Sequence, residues 1–235
     1  MLATGRTDVT TIYTSFSERH VEGRDADYLE WHSLDHRPEQ HRLSALRASF
    51  RVVSTPACRS ARAASEERFD ATDHLMTYLF NDVAALDGFN DLNMAMSAAG
   101  RTPYLLPTVE RAVYRLDGTA ADPRIKVGAD VLPFWPSRGV YVLVERGERQ
   151  AGELLGVPGV GGAWWGAALP MDPPYCTRDN SGLHLSYLFL DGDPPEVATR
   201  LRPLLERRWS EGGIEPLLAA PFHSLVTYEW DRYCP

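Results

Sequence analysis

The succession of strand-like and helix-like segments in this chain occurs twice, and that repetition limits the available folds more than any other property. Residues 11–17 alternate apolar and polar side chains around Ile12, Tyr13 and Phe16, as a half-buried strand does. Residues 25–35, DADYLEWHSLD, predict a helix with Asp25 or Asp27 at its cap and Tyr28, Leu29, Trp31 and Leu34 on its apolar surface. Pro38 predicts a break at His36–Arg37 and a restart with Pro38 in a first turn. Residues 49–62 predict a strand interrupted near Pro56, and 73–82 a strand with Leu75, Tyr78 and Phe80 among its large residues. A helix over 83–100 is stopped by Gly100, and a strand over 108–118 ends the set. The order is β-α-β-β-α-β, the split unit also called ferredoxin-like.

A Pro- and Gly-dotted stretch, 117–137, reads as a linker, and the order then returns. Strands are expected over 139–146, 160–169, 182–191 and 221–232, a stunted helix over 149–159, and a full helix over 194–210. The alternating strands need a buried face, and two sheets packed on one another supply it. The expected fold class is therefore α+β, with two ferredoxin-like β-α-β-β-α-β repeats whose antiparallel sheets pack into an intrachain barrel. The first repeat spans 8–118, a linker 119–137, and the second repeat 138–235. The halves share element order and little sequence, as a diverged tandem duplication would. Within AWWG, strand alternation sends one of Trp164 and Trp165 to the interior and the other towards the helices.

Bulk properties remove several classes of function. A net charge of −8 argues against non-specific binding to nucleic acid or acidic membranes. No apolar run approaches the roughly 18–20 residues that span a bilayer, and the first ten residues lack the apolar stretch of a signal peptide. Cys58, Cys176 and Cys234 are scattered and odd in number, which fits free thiols in a reducing compartment; a cytoplasmic location is expected. The Gly-rich GVPGVGG at 156–162 follows a weak helix instead of a strand, so it lacks the context of a phosphate loop or dinucleotide fingerprint.

The chemistry concentrates in EWHSLDHRPEQH, residues 30–41, which holds His32, His36 and His41 with Asp35, Arg37 and Glu39. His32 and His36 are spaced i, i+4 and can share a helix face as paired metal ligands do, but Ser33, Leu34 and Asp35 between them do not make H-E-x-x-H, and no metal is expected. At a helix end His36 would be favoured as imidazolium by the dipole, with Asp35 and Glu39 near enough to orient it. Two readings stay open there: a general acid/base for a phenolic or keto substrate, and a helix-terminal histidine bonded to backbone carbonyls. Trp31, Tyr13, Tyr78 and Tyr114 can line an apolar pocket with hydroxyls at its edge, or simply pack a core. His74 and His184 hold equivalent places in two strands, which supports duplication more than catalysis.

The helix end W-x-x-x-D-H-R-P-E (Trp31 to Glu39) resembles the dimeric α+β barrel superfamily, nearest to the stress-responsive barrel, EthD-like and antibiotic-biosynthesis monooxygenase groups. The V-P-G-V turn at Val157–Val160 resembles the turn that leads into the next strand in those groups. The resemblance implies two four-stranded sheets closed into a barrel, here supplied by one chain, with a small-molecule cleft between a sheet and its helices. It favours the first half as the site, because 149–159 is too short to replace the helix at 25–36. Haem-binding relatives of this fold use a helix histidine, and 83–100 and 194–210 contain none, so no cofactor is expected. The implied function is a cofactor-independent cyclase, isomerase, lyase or monooxygenase acting on an aromatic or keto substrate. His36 and Asp35 would be catalytic, and Trp31, His32, Tyr13, Tyr78 and Tyr114 would bind substrate. The alternative is a non-catalytic ligand-binding or stress-response module. The expected partner is a small molecule, with a homodimer through outer surfaces left open.

Overall fold

The computed structural model describes residues 7–147, 150–211 and 213–234. Its first half runs β1 Thr11–Ser17, α1 Asp25–Trp31, a π-helical turn His32–His36, α2 Arg37–Gln40 and β2 Leu46–Val53. After β2 come a short excursion (α3 Pro56–Ser60, β3 Ala64–Ser65, α4 Glu67–Asp70), then β4 His74–Phe80, α5 Ala85–Ala98 and β5 Thr108–Ala121. In the second half are β6 Gly139–Arg146, a 3-10 turn Ala151–Leu154, β7 Val160–Ala168, β8 Leu183–Leu190, α6 Pro194–Ser210 and β9 Glu215–Ser224. The order β2-β4-β1-β5 in one half is repeated as β7-β8-β6-β9 in the other, all antiparallel.

The halves meet at their edges. β5 pairs with β7 from Tyr114↔Ala168 to Ala121↔Gly162, and β2 pairs with β9 at Val52↔Ser224 and Val53↔His223. Eight strands thereby close into a ring within one chain, which leaves no long unpaired edge to seek a partner. The inward-facing alternate positions of the strands fill the interior: Ile12 and Phe16, Leu75 and Leu79, Val140, Val142 and Val144, Tyr187 and Phe222. Across this interior the Thr77 and Tyr187 hydroxyls hydrogen-bond at 2.6 Å, which satisfies two polar groups that burial would otherwise leave unpaired. Trp164 points inward and Trp165 packs on the helix side, as alternation requires.

Several boundaries differ from the sequence expectation. The helix at 25 does not stop at His36; it continues through Pro38 to Gln40, with Arg37 at φ −63° and ψ −41°. The Arg37 amide bonds to the His32 carbonyl five residues back, and this widened turn relieves crowding between the Pro38 ring and the preceding turn. The strand expected over 49–62 starts at Leu46 and ends at Val53; Pro56 instead opens α3, capped by the Thr55 hydroxyl, which accepts from the Cys58 amide at 3.2 Å. The last strand lies at 215–224 instead of 221–232. Its Pro- and Ala-rich PLLAAP has little β propensity, and pairing with β6 overrides that. The segment read as a linker is docked: β5 extends to Ala121, Leu132 is fully buried in the ring interior, and Trp164 Nε1 donates to Ala129 O at 2.6 Å. The stunted helix of the second half is a 3-10 turn; Arg149, where it was expected to start, is outside the described residues, as are residues 1–6 and Pro235.

The β5–β7 seam depends on a close backbone approach at Gly166, where a Cβ would collide with the Arg115 carbonyl. Gly166→Ala should therefore lower stability by about 1–3 kcal/mol, read as the urea midpoint. Gly88→Ala, on α5 with open space around it, should be neutral or stabilising by up to about 1 kcal/mol. Equal effects at the two sites would show that the seam carries no such constraint.

Candidate functional site

The two halves cover the outer faces of their sheets differently. On the second sheet, α6 and the 3-10 turn pack Val197, Leu201, Leu205, Ala151 and Leu154 onto Tyr141, Leu143 and Ala219. On the first sheet, α5 and the α1–α2 helix stand apart and leave a cleft of about 370 Å³. Strand alternation puts Tyr13 and Tyr78, register partners on β1 and β4, on its floor. Their rings stack with centroids 6.1 Å apart, and Phe89 of α5 packs 4.7 Å from Tyr78. The helix contributes Tyr28, Trp31, His32, His36 and Gln40, and β2 contributes Arg51.

The helix residues form a packed aromatic ladder. Tyr28 stacks on His32 with centroids 5.6 Å apart, His32 lies 5.4 Å from His36, and Trp31 lies 4.8 Å from His36. His32 Nε2 hydrogen-bonds the Tyr78 hydroxyl at 3.2 Å. The Gln40 amide donates to Asn93 of α5 at 2.9 Å and meets His36 Nε2 at 3.0 Å. His36 therefore accepts at Nε2 and carries its proton on Nδ1. Burial drives His36 down to about 4, with a smaller opposing pull from Asp35, and burial and Arg51 hold His32 well below the ordinary imidazole range. Both rings are neutral at pH 7. Desolvation outweighs the helix dipole, and His36, mid-helix, is not at the terminus where the dipole would favour its charge.

Arg51 is 6% exposed, donates from Nη2 to the Tyr28 hydroxyl at 2.7 Å, and sets its guanidinium 4.9 Å from the Tyr28 ring centroid. No carboxylate pairs with it among the described residues. Four buried polar atoms of cleft residues have no hydrogen-bond partner: His32 Nδ1, His36 Nδ1, Gln40 Oε1 and Arg51 Nε.

With this geometry in view, comparison with solved structures is informative about the scaffold. An anthrone oxidase-like protein superposes with a TM-score of 0.54 over 94% of this chain and 92% of its own, at 12% identity. A chlorite dismutase-like protein superposes with a TM-score of 0.50 over 96% of this chain and 100% of its own, also at 12% identity. The chain has the dimeric α+β barrel fold. No family model and no curated protein matches it. At such identities the likeness concerns the barrel alone. In this α+β barrel, α5 and α6 contain no histidine, so the helix ligand used by haem-binding barrels is not supplied there and no step is assigned to haem. Among the described residues no three His, Cys, Asp or Glu side chains are grouped to share a metal ion, and no helix is long and apolar enough to cross a membrane.

Of the residues singled out from sequence, the barrel brings Tyr13, Trp31, His32, His36 and Tyr78 together in the cleft. Tyr114 is elsewhere: it is the register partner of Ile12, faces the ring interior and is fully buried. Asp35 turns away from His36 and pairs with Arg101 at 2.9 Å, a charge partner that no local spacing reveals. Glu39 joins the same arginine at 3.2 Å. His41 is exposed and bonds Ser49 at 2.7 Å, while His74 is buried against Asp25 at 2.7 Å. The sequence reading missed Tyr28, Gln40 and Arg51. Gln40 stands one turn beyond His36 and could have been found by that spacing; Arg51 shows itself only once the outward face of β2 is known.

Burial lowers the pKa of His32, His36 and His74 alike. The unfolded chain takes up protons at these sites below about pH 6.5, while folded His36 does so only near pH 4. Folding stability should therefore fall as the pH drops from about 6.5 to about 4, and be insensitive to these groups above that window. Urea midpoints measured at intervals from pH 7.5 to 4 should show this slope, and His36→Gln should make it shallower. An unchanged slope in His36→Gln would mean that His36 titrates normally in the folded chain.

Proposed function

We propose that the first-half cleft binds a small aromatic molecule bearing a keto or phenolic oxygen and acts on it by proton transfer through His36. The observation that carries this reading is the set of four partnerless buried atoms in one aromatic-walled cleft. A buried unsatisfied group costs roughly 1–3 kcal/mol, and a polar ligand head seated there offsets that penalty. Tyr13, Trp31 and Tyr78 supply flat apolar surface for the body of the ligand, and His32 is a further binding group.

The neutral imidazole is the form able to take a proton from an acidic carbon or hydroxyl. The proton moves to His36 Nε2 as the substrate displaces the Gln40 amide from that nitrogen, the electron pair remains on the substrate as an enolate or phenolate, and the positive charge of Arg51 lies on the same wall to stabilise it. As the oxyanion forms, its charge favours the imidazolium that burial otherwise disfavours, so the enzyme stabilises the changed state more than the ground state. Return of the proton to another atom completes a tautomerisation or sets up ring closure. Asp35, bound to Arg101, takes no direct part. The two-repeat organisation, with boundaries at 8–118 and 138–235, is supported by the repeated strand order.

The test is deuterium uptake at the carbon next to the carbonyl in a panel of aromatic ketones, followed by NMR in D2O. Wild type should accelerate exchange for at least one member. His36→Gln should reduce the rate about 10²- to 10⁴-fold, and Asp35→Asn should leave it within about threefold, the effect of an exposed charge change. Saturable binding without exchange, unaltered by His36→Gln, would make this a non-catalytic binding module.

A further inference from the structure

A second, larger cavity of about 760 Å³ opens where the ring closes least completely. β2 and β9 share only two register pairs, Val52↔Ser224 and Val53↔His223; the Leu225 amide still donates to the Arg51 carbonyl at 3.4 Å, and the chain then continues past the cavity through Val226 and Thr227. Behind this gap the wall is apolar and aromatic: Phe50, Val140, Phe189 and Trp135. Phe50 sits edge-on to Phe189 with centroids 5.9 Å apart, so the aromatic wall is pre-packed.

The charged groups around it are unbalanced. Arg37, Arg51, Arg138 and Arg232 line the cavity against a single carboxylate, Asp193. Arg232 pairs with Glu229 at the rim. Arg37 and Arg51 pair with no carboxylate among the described residues, and each feels the other's charge. Arg51 is nine-tenths buried with Nε partnerless, and burial disfavours the charged form of Arg37. Two neighbouring like charges, one buried and one partly buried, with no carboxylate between them are stabilised when an anion joins them. A guanidinium pair presents forked donors that match the two oxygens of a carboxylate.

We propose that this seam cavity is a second binding site, for a small aromatic carboxylate whose acid group sits between Arg37 and Arg51 and whose ring lies on Phe50, Phe189 and Trp135. It is separate from the His36 cleft. Arg51 stands in the wall between them, whereas Arg37, Arg138 and Trp135 line the seam cavity and not the cleft, and His36 and Trp31 line the cleft and not the seam cavity.

Benzoate is the probe, titrated calorimetrically into the full chain at constant ionic strength, with benzyl alcohol and inorganic phosphate as comparisons. Benzoate should bind saturably, and both benzyl alcohol and phosphate should bind at least tenfold more weakly. Arg37→Gln should weaken benzoate at least tenfold with the circular dichroism spectrum preserved. Arg138→Gln, an exposed change that leaves the core untouched, should weaken it two- to fivefold and serves if Arg37→Gln does not fold. His36→Gln should leave it within twofold. Absence of saturable binding, a wild-type affinity in Arg37→Gln (or in Arg138→Gln if that is the variant that folds), or phosphate binding as tightly as benzoate would each overturn the proposal. A loss in His36→Gln as large as that in the seam variants would place the probe in the cleft and overturn it as well, without bearing on proton transfer there.

Discussion

Closure of the eight-stranded ring is the constraint from which the other features follow. A four-stranded antiparallel unit has two open edges, and exposed edges recruit other chains. Here the edge strand of each half is taken up by the other half, through β5–β7 along a long register and through β2–β9 along a very short one. The long seam requires Gly166 and Gly118, because the Arg115 carbonyl and the Trp165 ring occupy the space of their side chains. The short seam leaves an opening in the wall, and the arginine-rich cavity is the consequence.

Once the ring is closed, its interior and its outer faces have separate tasks. The interior is a packed core of strand side chains, with Leu132 inserted from the segment between β5 and β6. Pocket formation is thus left to the outer faces, and whether one exists depends on how tightly the helices cover the sheet. In the second half α6 and a 3-10 turn seal the surface with aliphatic side chains. In the first half the long helix carries bulky aromatic and imidazole rings instead of aliphatic ones, and the sheet below it presents Tyr13 and Tyr78. Rings of this size hold the helix away from the sheet, so two units with the same strand order differ in which one encloses a cleft.

Burial also sets the charge state of the groups that line the cavities. The imidazoles at His32 and His36 lose water without gaining a carboxylate, so they stay neutral; Asp35, which could have supplied the opposing charge, is held by Arg101. Arg51 loses water too, and the Tyr28 hydroxyl and ring face offset only part of the lost solvation. Unsatisfied donors and an unneutralised cation collect along one stretch of wall, in a molecule whose net charge is −8. Such a local excess of positive charge is better explained by anionic or oxyanionic ligands than by the needs of folding.

Much of this was legible in the sequence. Period-two alternation marked β1, β4 and β8, each of which has one face in the ring interior, and the order of elements was sufficient to expect an antiparallel α+β barrel. The histidine-rich helix, Trp31, Tyr13 and Tyr78 line one cleft because helix and strand periodicities fix faces locally. What the tertiary structure alone decided is non-local. Proline's local preference predicted a break at His36, yet packing over the sheet keeps the helix intact through a π turn. PLLAAP is a poor strand by composition and a strand by its pairing with β6. Tyr114 and Val113 are neighbours in the chain, and only the pleat relative to β1 sends the tyrosine inward and the valine out. Asp35 chose Arg101 over His36, and Arg37 was brought beside Arg51, through contacts between residues far apart in sequence. Local periodicity determines which face a residue occupies; the charge partner and the depth of burial come from what the fold lays against that face.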